Sequence, residues 1–317
     1  MTPPSPRRGL AGLSDRLHRR SAHWSPTVRG LLWAAASGVL FSVLNATLRG
    51  LALQLDPMQT QFLRYLFGLL VMLPLLWHGT LASWWPRHLG GQFTRGAVHT
   101  LGLVLWFLAL PHIPLADTTA LGFTTPLFIM VGAWLFLREP MRWERWAATA
   151  LGFAGVLIVL GPRLGGGSGG GGHHLLMLAS APVFAVSFLI TKVLTRTESA
   201  GVIVVWQALS VTLFSLPMAV LTWQSPSAWQ WLGFALCGLL GSGGHYCLTR
   251  SFHAADISAT QSVKFLELLW ASLLGWLMFA DVPTQTTLLG GVVICTATLW
   301  VARREHRRSA LTADARR

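Results

Sequence analysis

The sequence predicts an all-α integral membrane protein whose ten transmembrane helices form two inverted repeats of five helices. Composition, ten long apolar segments and an internal repeat support this prediction together. Hydrophobic residues make up 53% of the 317 residues and charged residues only 11%, whereas a soluble domain carries about 25% charged residues. The composition therefore excludes an ordinary water-soluble domain and indicates that the solvent of this chain is a lipid bilayer.

Apolar segments of spanning length follow one another along nearly the whole chain. A spanning helix needs about 20 mostly apolar residues, because each residue rises about 1.5 Å through a hydrocarbon core of about 30 Å. Such segments occupy residues 30–50, 57–77, 94–113, 115–137, 145–161, 174–195, 200–222, 228–252, 257–280 and 284–302. They leave no room for a soluble domain, so any chemistry has to lie among the helices.

The two halves of the chain repeat one pattern. Phe41 matches Phe184, and Leu73 matches Leu216, each 143 positions later. Each half holds five predicted spans, and because five is odd, the second half must enter the membrane from the opposite face. An inverted repeat of this kind is the design of many secondary transporters.

The net charge of +13 is large, and the basic residues are concentrated in the segments predicted to lie on one side of the membrane. With a cytoplasmic N-terminus, the arginines of both tails and of the inner connections, including Arg87 and Arg95, lie inside, whereas Arg49 and Arg163 lie outside. This is the positive-inside rule, and it predicts a multi-pass plasma-membrane protein with both termini cytoplasmic, in the inner membrane if the source is bacterial. Because the charge is not gathered on a folded face, we expect no nucleic-acid partner.

Five segments follow from this reading. They are a cytoplasmic basic tail (1–29), a first five-helix repeat (30–161), a periplasmic or extracellular glycine-rich linker (162–173), a second five-helix repeat (174–302) and a cytoplasmic basic tail (303–317). The linker prediction rests on the glycine run at residues 165–172, since glycine-rich stretches behave as flexible coils.

No motif indicates a metal or a cofactor. Cys237, Cys247 and Cys295 fall within predicted spans without the close spacing of a metal or redox motif, and the adjacent His173 and His174 supply too few ligands for a metal. A Gly-rich loop ending in Lys-Ser or Lys-Thr, which would bind ATP, is absent from the sequence. We therefore expect no cofactor and no metal site.

Several motifs resemble one known family in their order, spacing and duplication. They are Phe62-Leu63-Arg64 in the second span, residues 109–120 before the fourth, Glu139-Pro140 after it, and residues 273–283 at the end of the ninth. Through them, residues 30–302 resemble the drug/metabolite transporter superfamily, EamA type, with two EamA repeats. Leu268 stands where the family usually has a proline, and Asp281 where it usually has a glutamate.

This resemblance implies a permease for small organic solutes, with a central cavity that opens alternately to either side of the membrane. A small-molecule substrate and the lipid bilayer are then the expected partners, and a monomer and a homodimer both remain open. Since no ATP site is predicted, we expect the transport to be coupled to an ion or proton gradient.

Four polar residues are the first candidates for a solute site, because an ionisable side chain in hydrocarbon costs about 2.5–3.5 kcal/mol on insertion scales and normally faces a cavity or a partner. Lys264 and Glu267 share one face of the ninth span, and Glu267 falls near the midplane, where transporter sites usually lie. Arg64 in the second span has Gln207 as its repeat equivalent in the seventh. We expect Glu267 to bind a positive solute group or a coupling proton, and Arg64 and Lys264 to attract a carboxylate, phosphate or ring carbonyl.

Four further residues are expected to line the same cavity. His99 and His245 are polar within apolar spans, and histidine titrates in the range that a proton-coupled carrier uses. Asn45 can hydrogen-bond a solute without carrying charge, and Trp270 can stack on a planar one.

Other readings of these residues stay open at this stage. Lys264 can neutralise Glu267, or Arg64 can pair with it, only to hold the bundle together, and the histidines can be hydrogen-bonded packing residues. An intramembrane enzyme would need a nucleophile with its base and orienting group, and Ser242 with His245 lacks an acid to complete that set. A non-transporting scaffold leaves the buried charges unexplained, so the sequence predicts a transporter and not an enzyme.

Overall fold

The computed structural model describes residues 25–52, 54–77, 81–109, 112, 121–164, 171–279 and 285–314, and the regular elements in these ranges are helices. The helices are α1 (Pro26–Ala52), α2 (Pro57–Trp77), α3 (Leu81–Trp84), α4 (Leu89–Ala109), α5 (Thr125–Leu137), α6 (Trp143–Leu164), α7 (Gly171–Leu194), α8 (Ala200–Leu221), α9 (Ala228–Ala254), α10 (Ile257–Lys264), α11 (Leu266–Phe279) and α12 (Gln285–Asp314). The all-α prediction is confirmed.

Each predicted span has its helix. The first repeat consists of α1, α2, α4, α5 and α6, with the one-turn α3 as an addition, and the second of α7, α8, α9, the pair α10–α11 and α12. Several helices extend past the predicted boundaries, since α6 ends at Leu164, α7 begins at Gly171 and α12 runs to Asp314. Helices α6 and α7 thus continue into the predicted linker, and α12 continues into the predicted C-terminal tail, while the bounds of the five segments stay predictions. Residues 1–24 of the N-terminal tail, and 165–170 of the linker, lie outside the described residues.

Side-chain caps fix where several helices begin. Proline stands at the first position of α1 and of α2, where its missing N–H costs nothing. Before α2, Asp56 Oδ1 accepts the N–H of Met58 at 2.8 Å, which satisfies one of the free donors of the first turn. Ser227 and Gln230 form a capping box at the start of α9.

Hydropathy varies among the helices. Within the described ranges, three helical segments are long and apolar enough by themselves to cross a membrane: Pro26–Ala52, Leu175–Leu194 and Ala200–Leu221. The helix α4 is not among them, because Gln92, Arg95 and His99 interrupt its apolar sequence. Helices such as α4, with polar residues in their apolar sequence, supply several polar side chains of the candidate site.

The two repeats interlock rather than lie side by side. The helix α1 packs on α9, and its repeat-related counterpart is the packing of α4 on α7. The second helix of each repeat packs on the other, as α2 on α8, and so do the last helices, α6 on α12. The hydrophobic clusters accordingly mix the repeats, as where Phe62 and Leu63 pack with Phe234. The interior of the bundle is therefore an interface between the repeats.

The fourth helix of each repeat is interrupted. The ninth predicted span consists of α10, which ends at Lys264, and α11, which begins at Leu266. Phe265 between them keeps right-handed helical angles, φ −62° and ψ −19°, so the interruption is one residue long. In the first repeat, a turn at Phe123 and Thr124 precedes α5. Phe123 is the repeat equivalent of Phe265, 142 positions earlier, and the ring centroids of the two are 5.6 Å apart. The two interruptions thus meet. The one in the first repeat lies just before Pro126, at the start of α5, whose missing N–H removes one helical hydrogen bond.

A buried carboxylate holds the start of α10. Glu139, after α5, accepts the backbone N–H groups of Ile257 at 2.9 Å and Ser258 at 3.1 Å, and the Ser258 hydroxyl at 2.6 Å. Arg145 of α6 donates to Ser258 Oγ at 2.8 Å and pairs with Asp256 at 2.9 Å. A negative charge at a helix N-terminus is favourable, so Glu139 couples the end of one interrupted helix to the start of the other.

Small residues allow α2 and α9 to approach each other closely. A Cβ atom on Gly238 would lie 2.5 Å from the carbonyl carbon of Phe67 and 2.7 Å from the nitrogen of Gly68. Both are backbone atoms, which cannot move aside as a side chain can. Gly243, on the same helix, would meet only the end of Leu40 at 3.5 Å, an ordinary contact.

We expect Gly238→Ala to lower the free energy of unfolding by about 1–3 kcal/mol, the usual cost of overpacking. Gly243→Ala is the matched control, and it should be neutral or stabilising by up to about 1 kcal/mol, because alanine favours helix over glycine. Unfolding of both variants in detergent micelles measures the difference. Equal stability of the two would contradict the close approach.

Candidate functional site

A small cavity lies where α2 of the first repeat meets α8 and α9 of the second. Its lining residues are Arg64, Tyr65, Gly68, Val204, Gln207, Ala208, Gly241, Ser242 and His245. Its volume is about 10 Å³, roughly the space that one water molecule needs, whereas ligand pockets measure about 300–1,000 Å³. The cavity is therefore too small for a metabolite in this conformation.

A tyrosine links the two predicted histidines. The Tyr65 hydroxyl is 2.9 Å from His99 Nε2 and 3.3 Å from His245 Nε2, and His99 Nδ1 is 3.1 Å from Ser187 Oγ. A hydroxyl has one proton to donate, so it donates to at most one imidazole, and the other imidazole must present its N–H to the oxygen. The network joins α7, α4, α2 and α9, and therefore both repeats.

Arg95 is a functional candidate that the sequence reasoning missed. The prediction that it lies in a cytoplasmic connection is wrong, because α4 begins at Leu89 and the arginine is fully buried in the second turn. Its Nε donates to Thr191 Oγ1 at 2.5 Å, its Nη1 to the carbonyl of Ile203 at 3.0 Å, and its Nη2 to Gln207 Oε1. The position of Arg95 four residues before His99, on the same helical face, was the available signal.

Arg64 and Gln207, predicted to share a cavity, both line the one described above. The guanidinium of Arg64 lies 4.8 Å over the ring of Tyr65, and within the described residues no acidic group lies within 4.0 Å of it. Its Nε and the Nε2 of Gln207 have no hydrogen-bond partner among those residues. Arg64 is only 8% exposed and Gln207 1%, so two buried donors at the cavity are unused.

Lys264 and Glu267 stand on either side of the interruption between α10 and α11. Their Nζ and Oε1 atoms are 3.9 Å apart, with 19% and 23% of the side chains exposed, so Glu267 pairs with Lys264 and not with Arg64. Glu267 packs against Gly38 of α1. The Lys264 ammonium lies 5.1 Å over the ring of Phe188, which also contacts His99 at 6.1 Å. Phe188 therefore separates this ion pair from the histidine network.

The structure does not bring the remaining candidates to the cavity. Asn45 is exposed on α1. Trp270, one turn after Glu267 on α11, is partly buried, and its indole nitrogen is buried without a hydrogen-bond partner in the described part of the chain. That part also contains no group of three or more histidine, cysteine and acidic residues placed to hold a metal.

Comparison with known proteins agrees with this architecture. The EamA-like transporter family matches residues 28–161 and again 172–303. The chain is 35% identical to the riboflavin transporter of Rhizobium johnstonii, over 90% of this chain and 94% of that protein. It is 30% identical to the S-adenosylmethionine uptake transporter of Rickettsia felis, over 88% and 94%. A solved crystal structure with 18% identity superimposes with a TM-score of 0.74, over 88% of this chain and 98% of the other.

The two tyrosines of the chain provide a matched test of the histidine network. Tyr65→Phe removes the hydroxyl between His99 and His245 and leaves buried imidazole nitrogens unpaired, so we expect a loss of about 1–3 kcal/mol in the free energy of unfolding. Tyr246→Phe makes the same change on an exposed side chain and should change stability by less than about 0.5 kcal/mol. Unfolding in micelles compares them, and an unaffected Tyr65→Phe variant would argue against the network.

Proposed function

Since the chain belongs to the EamA-like transporter family, we propose that it is a secondary transporter that moves a small organic metabolite across the plasma membrane. The single observation that carries this proposal is the cavity between the repeats, with unused hydrogen-bond donors on Arg64 and Gln207. A buried donor without a partner costs free energy, and a bound solute would recover that cost.

Alternating access fits the way the repeats pack. Widening the cavity on one side requires α2 to move away from α8 or α9, and these helices belong to different repeats. The contact between Phe123 and Phe265 also joins the two repeats, so it would have to change when the repeats move. We therefore propose rocking of one repeat against the other, which exposes the cavity to the two sides in turn.

The chemical class of the solute follows from the relatives only in outline. Riboflavin and S-adenosylmethionine, named for two relatives, are both metabolites with a planar heteroaromatic ring system. We propose that this chain carries a metabolite of comparable size and that it is not an enzyme. We further propose that both termini lie in the cytoplasm, because the arginines of the two tails follow the positive-inside rule. Accessibility of terminal tags in sealed vesicles tests this orientation.

Coupling is assigned to Glu267. Its carboxylate stands at the interruption between α10 and α11, has only a distant ion-pair partner at 3.9 Å and remains partly accessible. Such a carboxylate can take up a proton or a cation when the repeats move and release it on the other side. We propose that Glu267 carries the coupling proton and that Lys264 keeps the site neutral when Glu267 is ionised.

Glu267→Gln should abolish accumulation of labelled riboflavin or S-adenosylmethionine against a gradient and remove the pH dependence of uptake, because an amide cannot carry the proton. The double variant Lys264→Met/Glu267→Gln separates this role from a structural one. If the ion pair only holds the bundle together, removing both charges should restore uptake. We expect the double variant to stay inactive, with uptake in proteoliposomes at several imposed pH gradients as the measurement. Full, pH-dependent uptake by Glu267→Gln would remove the proposal.

A further inference from the structure

We infer that the cavity between the repeats selects solutes that present adjacent hydrogen-bond acceptors and carry no net positive charge, and that Arg95 sets this selectivity by fixing the orientation of Gln207. This inference rests on the proposed transport function and names the class of solute. It is based on two buried hydrogen-bond donors, the Nε of Arg64 and the Nε2 of Gln207, which belong to residues that line the cavity.

The orientation of the Gln207 amide follows from its partner. A guanidinium can only donate hydrogen bonds, and Arg95 Nη2 bonds to the side chain of Gln207. The amide oxygen must therefore face Arg95, and the NH₂ group must face the other way. Because Thr191 and the Ile203 carbonyl engage the other Arg95 nitrogens, Arg95 cannot turn aside and release the amide. Arg95 is thus a positioning residue that makes Gln207 a donor toward the cavity.

The other polar groups of the lining are already engaged. The Ser242 hydroxyl donates to the carbonyl of Gly68 at 3.0 Å, and the Tyr65 hydroxyl lies between the two imidazoles. Apart from the Tyr65 hydroxyl, which both side chains face, the Nε of Arg64 and the Nε2 of Gln207 have no partner in the described part of the chain, and these donors remain for a solute. A solute that fills the widened cavity therefore has to bring acceptors.

The positive charges around the cavity also favour solutes that bring acceptors. Two guanidinium groups, those of Arg64 and Arg95, lie in or next to the lining, and the lining contains no acidic residue. Like charges repel strongly at low dielectric, so a cationic solute is disfavoured. A carboxylate, a phosphate or the two carbonyl groups at one edge of a flavin ring satisfy both conditions, whereas the sulfonium of S-adenosylmethionine violates the second.

The test compares binding of three probes to the purified full chain: riboflavin, S-adenosylmethionine and its thioether counterpart S-adenosylhomocysteine, which lacks the sulfonium and has a net charge of zero. Gln207→Glu keeps an oxygen toward Arg95 but replaces the free NH₂ by a second oxygen, which adds a negative charge and can also occupy Arg64. We expect the wild type to bind riboflavin and S-adenosylhomocysteine at least about tenfold more tightly than S-adenosylmethionine. Gln207→Glu should weaken riboflavin binding by about tenfold or more, the loss expected for one buried hydrogen bond, and shift preference toward S-adenosylmethionine.

Gln230→Glu is the control for the added negative charge, because Gln230 caps the start of α9 outside the cavity lining and a glutamate keeps its capping bond. It should leave the probe ratios within about twofold. If Gln207→Glu fails to fold, Arg64→Met removes the other donor without adding an acid and should also weaken riboflavin about tenfold.

Three results would overturn the inference: tighter binding of S-adenosylmethionine than of S-adenosylhomocysteine, unchanged preference in Gln207→Glu or Arg64→Met, or no binding of either probe without net charge by the wild type. A separate flux assay with a panel of labelled metabolites in proteoliposomes reports on the proposed function itself. If a solute is transported but one of these three results is found, the proposed transport function stands and the proposed selectivity of the cavity is rejected.

Discussion

The burial of Arg95 between the repeats is the constraint on which the rest of the site depends. A guanidinium held away from water costs several kcal/mol unless its donors are matched, and here they are matched by Thr191, the Ile203 carbonyl and Gln207. These partners lie on α7 and α8, so one side chain of the first repeat fixes two helices of the second. The same contacts leave the Gln207 amide with its nitrogen toward the cavity. The hydrogen bonds of Arg95 therefore account both for the packing of α4 on α7 and α8 and for the orientation of the Gln207 amide at the cavity.

A nearly symmetric scaffold carries an asymmetric set of charges. The interruptions of the fourth helices occur at equivalent residues, Phe123 and Phe265, whose rings touch. The residues around them differ, since Lys264 and Glu267 stand where the first repeat has Gly122 and Thr125, 142 positions earlier. The break is thus built into both repeats, while an ionisable pair is present at only one. In the proposed carrier, the symmetry would make the inward-facing and outward-facing states comparable in energy, and the asymmetric charge would let an ion gradient favour one of them.

Much of the fold followed from patterns that the bilayer imposes. Spanning length and the 142–143-residue repeat gave the ten spans, and the pairing of Arg64 with Gln207 across the repeat identified two residues of the cavity lining. Arg95 was misplaced because a residue near the predicted start of a span looks like a loop cation, and only the true start of α4 at Leu89 buries it. Asn45 failed to reach the cavity because periodicity does not say which face of a helix meets the other repeat. The break at Phe265 contains neither proline nor glycine, and the capping of α10 by Glu139 is a contact between segments over a hundred residues apart, which no local pattern encodes.

The most direct test of alternating access is whether solvent reaches the cavity from each side of the membrane. Ser242 lines the cavity, and cysteine is nearly isosteric with it, so Ser242→Cys in a chain whose three native cysteines are replaced can report on access. If the repeats expose the cavity to the two sides in turn, a membrane-impermeant maleimide labels this cysteine both in right-side-out and in inside-out vesicles. Labelling from one side only, or from neither, would contradict alternating access.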